Sequence, residues 1–92
     1  FDATDILKKP EQALNRICIS VGISFSQNML KWPKGKRKSD GIWAKYWYQN
    51  VENSSGFQPF QKKNIIINKK LIPLYDKCLA GYYSMYEKRI TF

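Results

Sequence analysis

The sequence predicts a mostly α chain, with about three helices joined by long loops and one short strand. Two observations carry this prediction. Apolar residues recur at three-to-four spacing through Ala13–Val21 and again through Leu71–Ile90. Only Ile65-Ile66-Ile67 has the β-branched character of a strand. Ninety-two residues fit one small domain, so residues 1–92 read as a single unit. Apolar content of 43% and aromatic content of 15% predict a packed core rather than disorder.

In chain order, Phe1 to Leu7 is compatible with the end of a strand running into a turn and is too short to decide. Lys8-Lys9-Pro10-Glu11 starts a helix, with Pro10 suited to the first turn and Glu11 complementing the positive end of the dipole. Ala13, Leu14, Ile17, Cys18 and Val21 share one face of it, and Gly22 is a natural stop. Ser26 can cap a short turn through Asn28, Met29 and Leu30, which Trp32-Pro33 ends. Lys34 to Lys38 is a loop with Gly35 for backbone freedom. Ser39 or Asp40 then serves as N-cap of a second helix over about Gly41 to Asn53, with Trp43, Tyr46, Trp47 and Val51 on one face. Phe57 to Lys63 is irregular, and Asn68 caps a last helix over about Lys69 to Arg89. These loops are long for a self-contained bundle. That mismatch is expected of part of a larger α/β domain.

Composition excludes several chemistries. No histidine is present, so imidazole acid–base catalysis and His-containing zinc sites are out. Cys18 and Cys78 lie far apart in apolar helical patterns and read as two reduced core thiols, which fits a reducing, cytoplasmic compartment. No metal site and no membrane-spanning or signal segment is expected. The chain begins at Phe1 rather than methionine, as a processed or excised piece would.

A formal charge of +9 points to an anionic partner: a nucleotide, nucleic acid or an acidic membrane surface. The charge is concentrated in Lys31–Val51, which holds six of the sixteen basic residues and all three tryptophans. Lys36, Arg37 and Lys38, the amides of Gly41 and Ile42 and the helix start behind them can converge on a phosphate. Arg37 suits it best because its planar fork holds two oxygens at once. A solvated basic loop explains the same run of cations. Trp43, Tyr46 and Trp47 likewise read as core, or as a ring lining a nucleotide pocket. No catalytic residue emerges: carboxylates are scattered and no phosphate-binding glycine loop is present.

Asp5-Ile6-Leu7-Lys8-Lys9-Pro10-Glu11, followed by Leu14, Ile17 and Val21-Gly22, resembles the late segment of P-loop sulfotransferases, where an acidic E-D-L element precedes a dPe..l..i..flG helix. Lys36-Arg37-Lys38-Ser39-Asp40-Gly41-Ile42-Trp43 resembles the family's R-K-G-x-x-G-D-W-K element, which binds the 3′-phosphate of the sulfate donor PAPS. Lys36 and Arg37 fall on the R-K pair in swapped order, Gly41 on the second glycine and Trp43 on the tryptophan. Lys38 replaces the first glycine, Ile42 the aspartate and Ala44 the lysine, with Lys45 one residue on as a substitute charge. The wording around Trp32-Pro33-Lys34-Gly35 and Ser54-Ser55-Gly56-Phe57 looks closer to a bacterial branch of sulfotransferase-like proteins.

The resemblance implies a C-terminal part of a P-loop α/β domain. Its Lys36, Arg37, Lys38, Gly41, Trp43 and Lys45 would hold PAPS or its product PAP in an enzyme that sulfates a hydroxyl or amine. The family's 5′-phosphosulfate loop and catalytic base are not among these residues, so the chain would not act alone. Two alternatives stand beside it: a free-standing basic module binding nucleic acid, and an interaction domain that associates with itself through Tyr75, Tyr82, Tyr83 and Tyr86.

Overall fold

In a computed structural model, which describes every residue from Phe1 to Phe92, the chain is helical with no sheet. α1 (Ala3–Lys8) and α2 (Pro10–Val21) pack together; a 3-10 turn follows at Gln27–Met29. Two single helical turns, α3 (Ala44–Trp47) and α4 (Gln49–Glu52), are followed by a long irregular stretch. A 3-10 turn at Lys69–Leu71 leads into α5 (Ile72–Tyr86). No helix is long and apolar enough to cross a membrane.

The turn chemistry of the sequence is borne out at several points. Pro10 opens α2, and Gly22 closes it at φ 75°, its N–H donating to the Cys18 and Ile19 carbonyls. The Ser26 side chain accepts the Asn28 N–H at 3.3 Å. Asn68 accepts the Lys70 N–H at 3.0 Å, capping the 3-10 turn ahead of α5 rather than the helix itself.

Other expectations are corrected. Phe1–Leu7 is not the end of a strand. Asp2 caps α1 by accepting the Thr4 N–H at 2.8 Å. Ile65–Ile67 forms no strand, because no extended segment lies beside it; Ile66 is 98% exposed. The only β-type pairing is an isolated antiparallel bridge between Lys31 and Gly56. The helix expected over Gly41–Asn53 is broken in two at Tyr48 (φ −97°, ψ 10°), and neither Ser39 nor Asp40 caps it. Three consecutive aromatics, Tyr46-Trp47-Tyr48, have modest helix propensity, and with no packing partner nothing offsets the nucleation cost.

The expected core is also missing. Only Ala13 and Cys18 are buried, where α1 and the Gln27–Met29 turn close on α2; the Cys18 thiol faces the Met29 sulfur at 3.8 Å. Cys78, expected in the core, is exposed; both thiols are free. Accessible surface is 8233 Å², against about 5,500 Å² for a closely packed monomer of this mass. The radius of gyration, 16.8 Å, exceeds the roughly 12 Å such a domain would have. The apolar stripe of α5 exists as the spacing predicts, but most of it is uncovered: Leu71, Leu74, Cys78 and Met85 are all exposed.

The chain ends are tied together instead. Tyr82 donates its hydroxyl to Asp2 Oδ2 at 2.6 Å, and Arg89 Nε donates to Asp5 Oδ2 at 2.7 Å. The Arg89 guanidinium also lies 3.6 Å from the Tyr86 ring centroid, and Phe1 meets Phe92 at 6.2 Å. This clasp joins α1 to α5 through polar and aromatic contacts.

Candidate anion site on the basic loop

Between Gly35 and α3 the backbone makes few bonds to itself. Asp40 N–H donates to the Arg37 carbonyl at 3.3 Å and Ala44 N–H to Gly41 at 3.4 Å. The N–H groups of Gly41, Ile42 and Trp43 are taken by no other group of the chain. Gly41 sits at φ 70°, in the left-handed region that turns the chain toward α3. Gly41→Ala is expected to strain this turn by about 1–2 kcal/mol although no atom crowds the position. A lowered melting temperature checks that.

The loop folds around an open cavity of about 280 Å³ whose wall includes Lys36, Arg37, Gly41 and Lys45. Four of the residues singled out in the sequence are thus brought together. Lys38 and Trp43 lie outside that wall. Trp43 stacks on Trp47 with centroids 5.1 Å apart and planes 9° from parallel. Both rings remain open to solvent, at 57% and 71% exposure. They are therefore not core within this chain, and form an exposed aromatic ledge on the same segment as the cations. The Lys45 ammonium rests 4.9 Å from the Tyr46 ring centroid.

Two acidic residues complicate the electrostatics. Glu52 lines the same cavity, a placement the sequence does not reveal because the residue comes from α4 on the far side of the loop. Asp40 lies 3.8 Å from Arg37 Nη1, too far for a strong hydrogen bond, and its Oδ2 is buried without a partner. Arg37 consequently keeps most of its donors free. The expected helix-dipole contribution is absent, because α3 is four residues long, too short for an appreciable macrodipole. Attraction for an anion rests on the cations and the free amides. No cluster of three or more acidic or cysteine residues able to hold a metal ion is present.

A family model described as "Sulfotransferase domain" matches residues 1–82, which includes this loop and the whole scaffold around it. The chain belongs to the sulfotransferase domain family. Among curated proteins it is similar to "Branched-chain-amino-acid aminotransferase-like protein 2" of Arabidopsis thaliana, with 35% identity over 89% of this chain and 15% of that protein. It is also similar to "Branched-chain-amino-acid aminotransferase-like protein 1" of the same plant, with 33% identity over 83% of this chain and 15% of that protein. The chain thus spans about 15% of the length of these relatives, whose names describe proteins far longer than the matched part. Both are plant proteins, so the comparisons support the family and not its bacterial branch. No solved structure matches.

Proposed function

We propose that this chain is the C-terminal, 3′-phosphate-clamping segment of a sulfotransferase-like protein that uses PAPS. The observation that carries the reading is the cavity on which Lys36, Arg37, Gly41 and Lys45 converge, with the unpaired amides of Gly41–Trp43 in the same turn. A phosphate dianion offers three terminal oxygens, and these donors match them in type and sign. Arg37 would take two oxygens through its fork, Lys36 and Lys45 would supply point charges, and the amides would complete the shell. Lys38 adds to the local potential from outside the cavity. Trp43 and Trp47 offer the bound nucleotide an apolar flank. Glu52, on the same wall, would limit the net charge of the site.

PAPS, when bound, supplies the sulfuryl group that passes to a hydroxyl or amine acceptor. This chain's residues bind and orient; no acid–base or nucleophilic role falls to them. Calorimetric titration of the intact protein tests the reading. Adenosine 3′,5′-bisphosphate is expected to bind at least about tenfold more tightly than adenosine 5′-monophosphate, since the difference is a phosphate held by charge-assisted hydrogen bonds. Equal affinities would overturn it.

The bare stripe of α5 supports a second, compatible reading: this face packs on the rest of a larger α/β domain. The surface in excess of a closely packed monomer is well above the roughly 800 Å² per partner that a stable interface uses. The isolated 92-residue chain is therefore expected to self-associate. Sedimentation velocity at rising concentration should show a growing average mass; a monomer at every concentration would contradict the prediction.

A further inference from the structure

The cation-bearing loop is closed at its base by Trp32, a residue that the phosphate reading leaves unused. Segments 31–35 and 52–56 lie side by side there. Lys31 bridges to Gly56, Trp32 N–H donates to the Ser55 carbonyl at 3.1 Å, and Gly35 N–H donates to the Glu52 carbonyl at 2.7 Å. The Trp32 indole N–H donates to Ser54 Oγ at 3.1 Å, and the Ser54 hydroxyl passes the chain on to the Val51 carbonyl at 2.9 Å. The indole also meets Phe57 edge to face, 5.5 Å between centroids at 79°. A side chain at Gly56 would put its Cβ 3.1 Å from the Leu30 carbonyl oxygen, so the segments approach about as closely as they can. Trp32 differs from the other two tryptophans: it is half-buried, and it alone has its indole N–H bonded.

The sixteen residues from Lys36 to Val51 hang from this junction. Inside the loop, ahead of α3, the hydrogen bonds are few and long, and the Arg37–Asp40 pair is loose. Its shape is therefore set largely at its base. A ligand that must gather Lys36, Arg37 and Gly41 binds more tightly when the ordering cost has been met before it arrives.

We propose that Trp32 is a positioning residue for the anion loop, acting through Ser54 and Phe57; this rests on the 3′-phosphate reading above. Trp32→Phe keeps an aromatic ring and removes the donor, and Ser54→Ala removes the acceptor. In the intact protein each is expected to weaken adenosine 3′,5′-bisphosphate about fivefold, the size of one lost hydrogen bond, with the double variant no worse than either. Affinity for adenosine 5′-monophosphate, which lacks the phosphate the loop would hold, stays unchanged. Equal losses for both nucleotides, or no loss for either, overturn the proposal.

If the parent protein does not favour the 3′-phosphate, the phosphate reading fails by itself, and amide hydrogen exchange judges the pin. Exchange about tenfold faster across residues 44–53 in Trp32→Phe, with residues 13–21 unchanged, supports a loop held by Trp32. Unaltered exchange across 44–53 overturns it.

Discussion

Arg37→Ala is expected to weaken binding of adenosine 3′,5′-bisphosphate by about tenfold to a hundredfold, the range of charge-assisted hydrogen bonds. Lys62→Ala, on an exposed stretch away from the cavity, should leave it within about twofold, the usual range for surface changes. The contrast separates a specific contact from bulk charge, since both variants lose one positive charge. Arg37 can have so large an effect because little in the chain competes for it. Asp40 is its only ion-pair partner, a loose one at 3.8 Å, and Arg37 lines the open cavity. Arg37→Lys should recover only part of the affinity, because an ammonium restores the charge and not the fork. Calorimetry on the four proteins checks this. Equal effects of Arg37→Ala and Lys62→Ala would mean that the cations act only as a diffuse field.

Tyr82 should titrate well above the ordinary phenol value of 10.0. Its hydroxyl donates to Asp2 Oδ2, a bond lost on ionisation, and the phenol is pushed up from 10.0 to about 12. The same bond, with the Thr4 N–H beside it, lowers the Asp2 carboxyl below 3.8. The two shifts bound a pH window. Asp2's contribution is present above 3.8 and is lost as pH falls through its lowered folded value. Tyr82's contribution is complete below 10.0 and disappears as pH rises toward about 12. The clasp between α1 and α5 therefore holds through the neutral range. Asp2→Asn keeps an oxygen for capping α1 and removes the charge, so the phenol should return toward 10.0. An absorbance titration of phenolate in the two proteins reads this directly. Superimposable curves would show that the bond does not persist in solution.

Local signals in the sequence proved reliable where backbone chemistry alone decides the outcome. Pro10 and Gly22 bound α2, and Ser26 and Asn68 cap their turns. α1 carried a comparable signal in Asp2 and the first-turn Asp5, obscured by the brevity of the segment. What the sequence could not convey depends on partners. The Ile65–Ile67 run needs a neighbouring strand, and none is present in this chain. The stripe on α5 marks a buried face only if something covers it; here Leu74 and Met85 stand open to solvent. The broken helix after Gly41 follows the same logic, since its aromatic face meets only itself, Trp43 against Trp47.

The site divides along similar lines. The cations and Gly41 were visible as a run of residue types, and four of the candidates share one cavity wall. Glu52 and the Trp32–Ser54 bond were not visible, because both arise when segments some twenty residues apart are laid side by side. Asp40, readable in the sequence as a helix cap, instead lies 3.8 Å from Arg37 and caps nothing.

The proposed grip of the Lys36–Lys45 loop on a 3′-phosphate is open to direct observation. A crystal structure of the intact protein with adenosine 3′,5′-bisphosphate tests it most directly. The 3′-phosphate is expected within hydrogen-bond distance of the Arg37 guanidinium and of at least one amide among Gly41, Ile42 and Trp43. A nucleotide bound with its 3′-phosphate on other residues, and Arg37 turned to solvent, would contradict it.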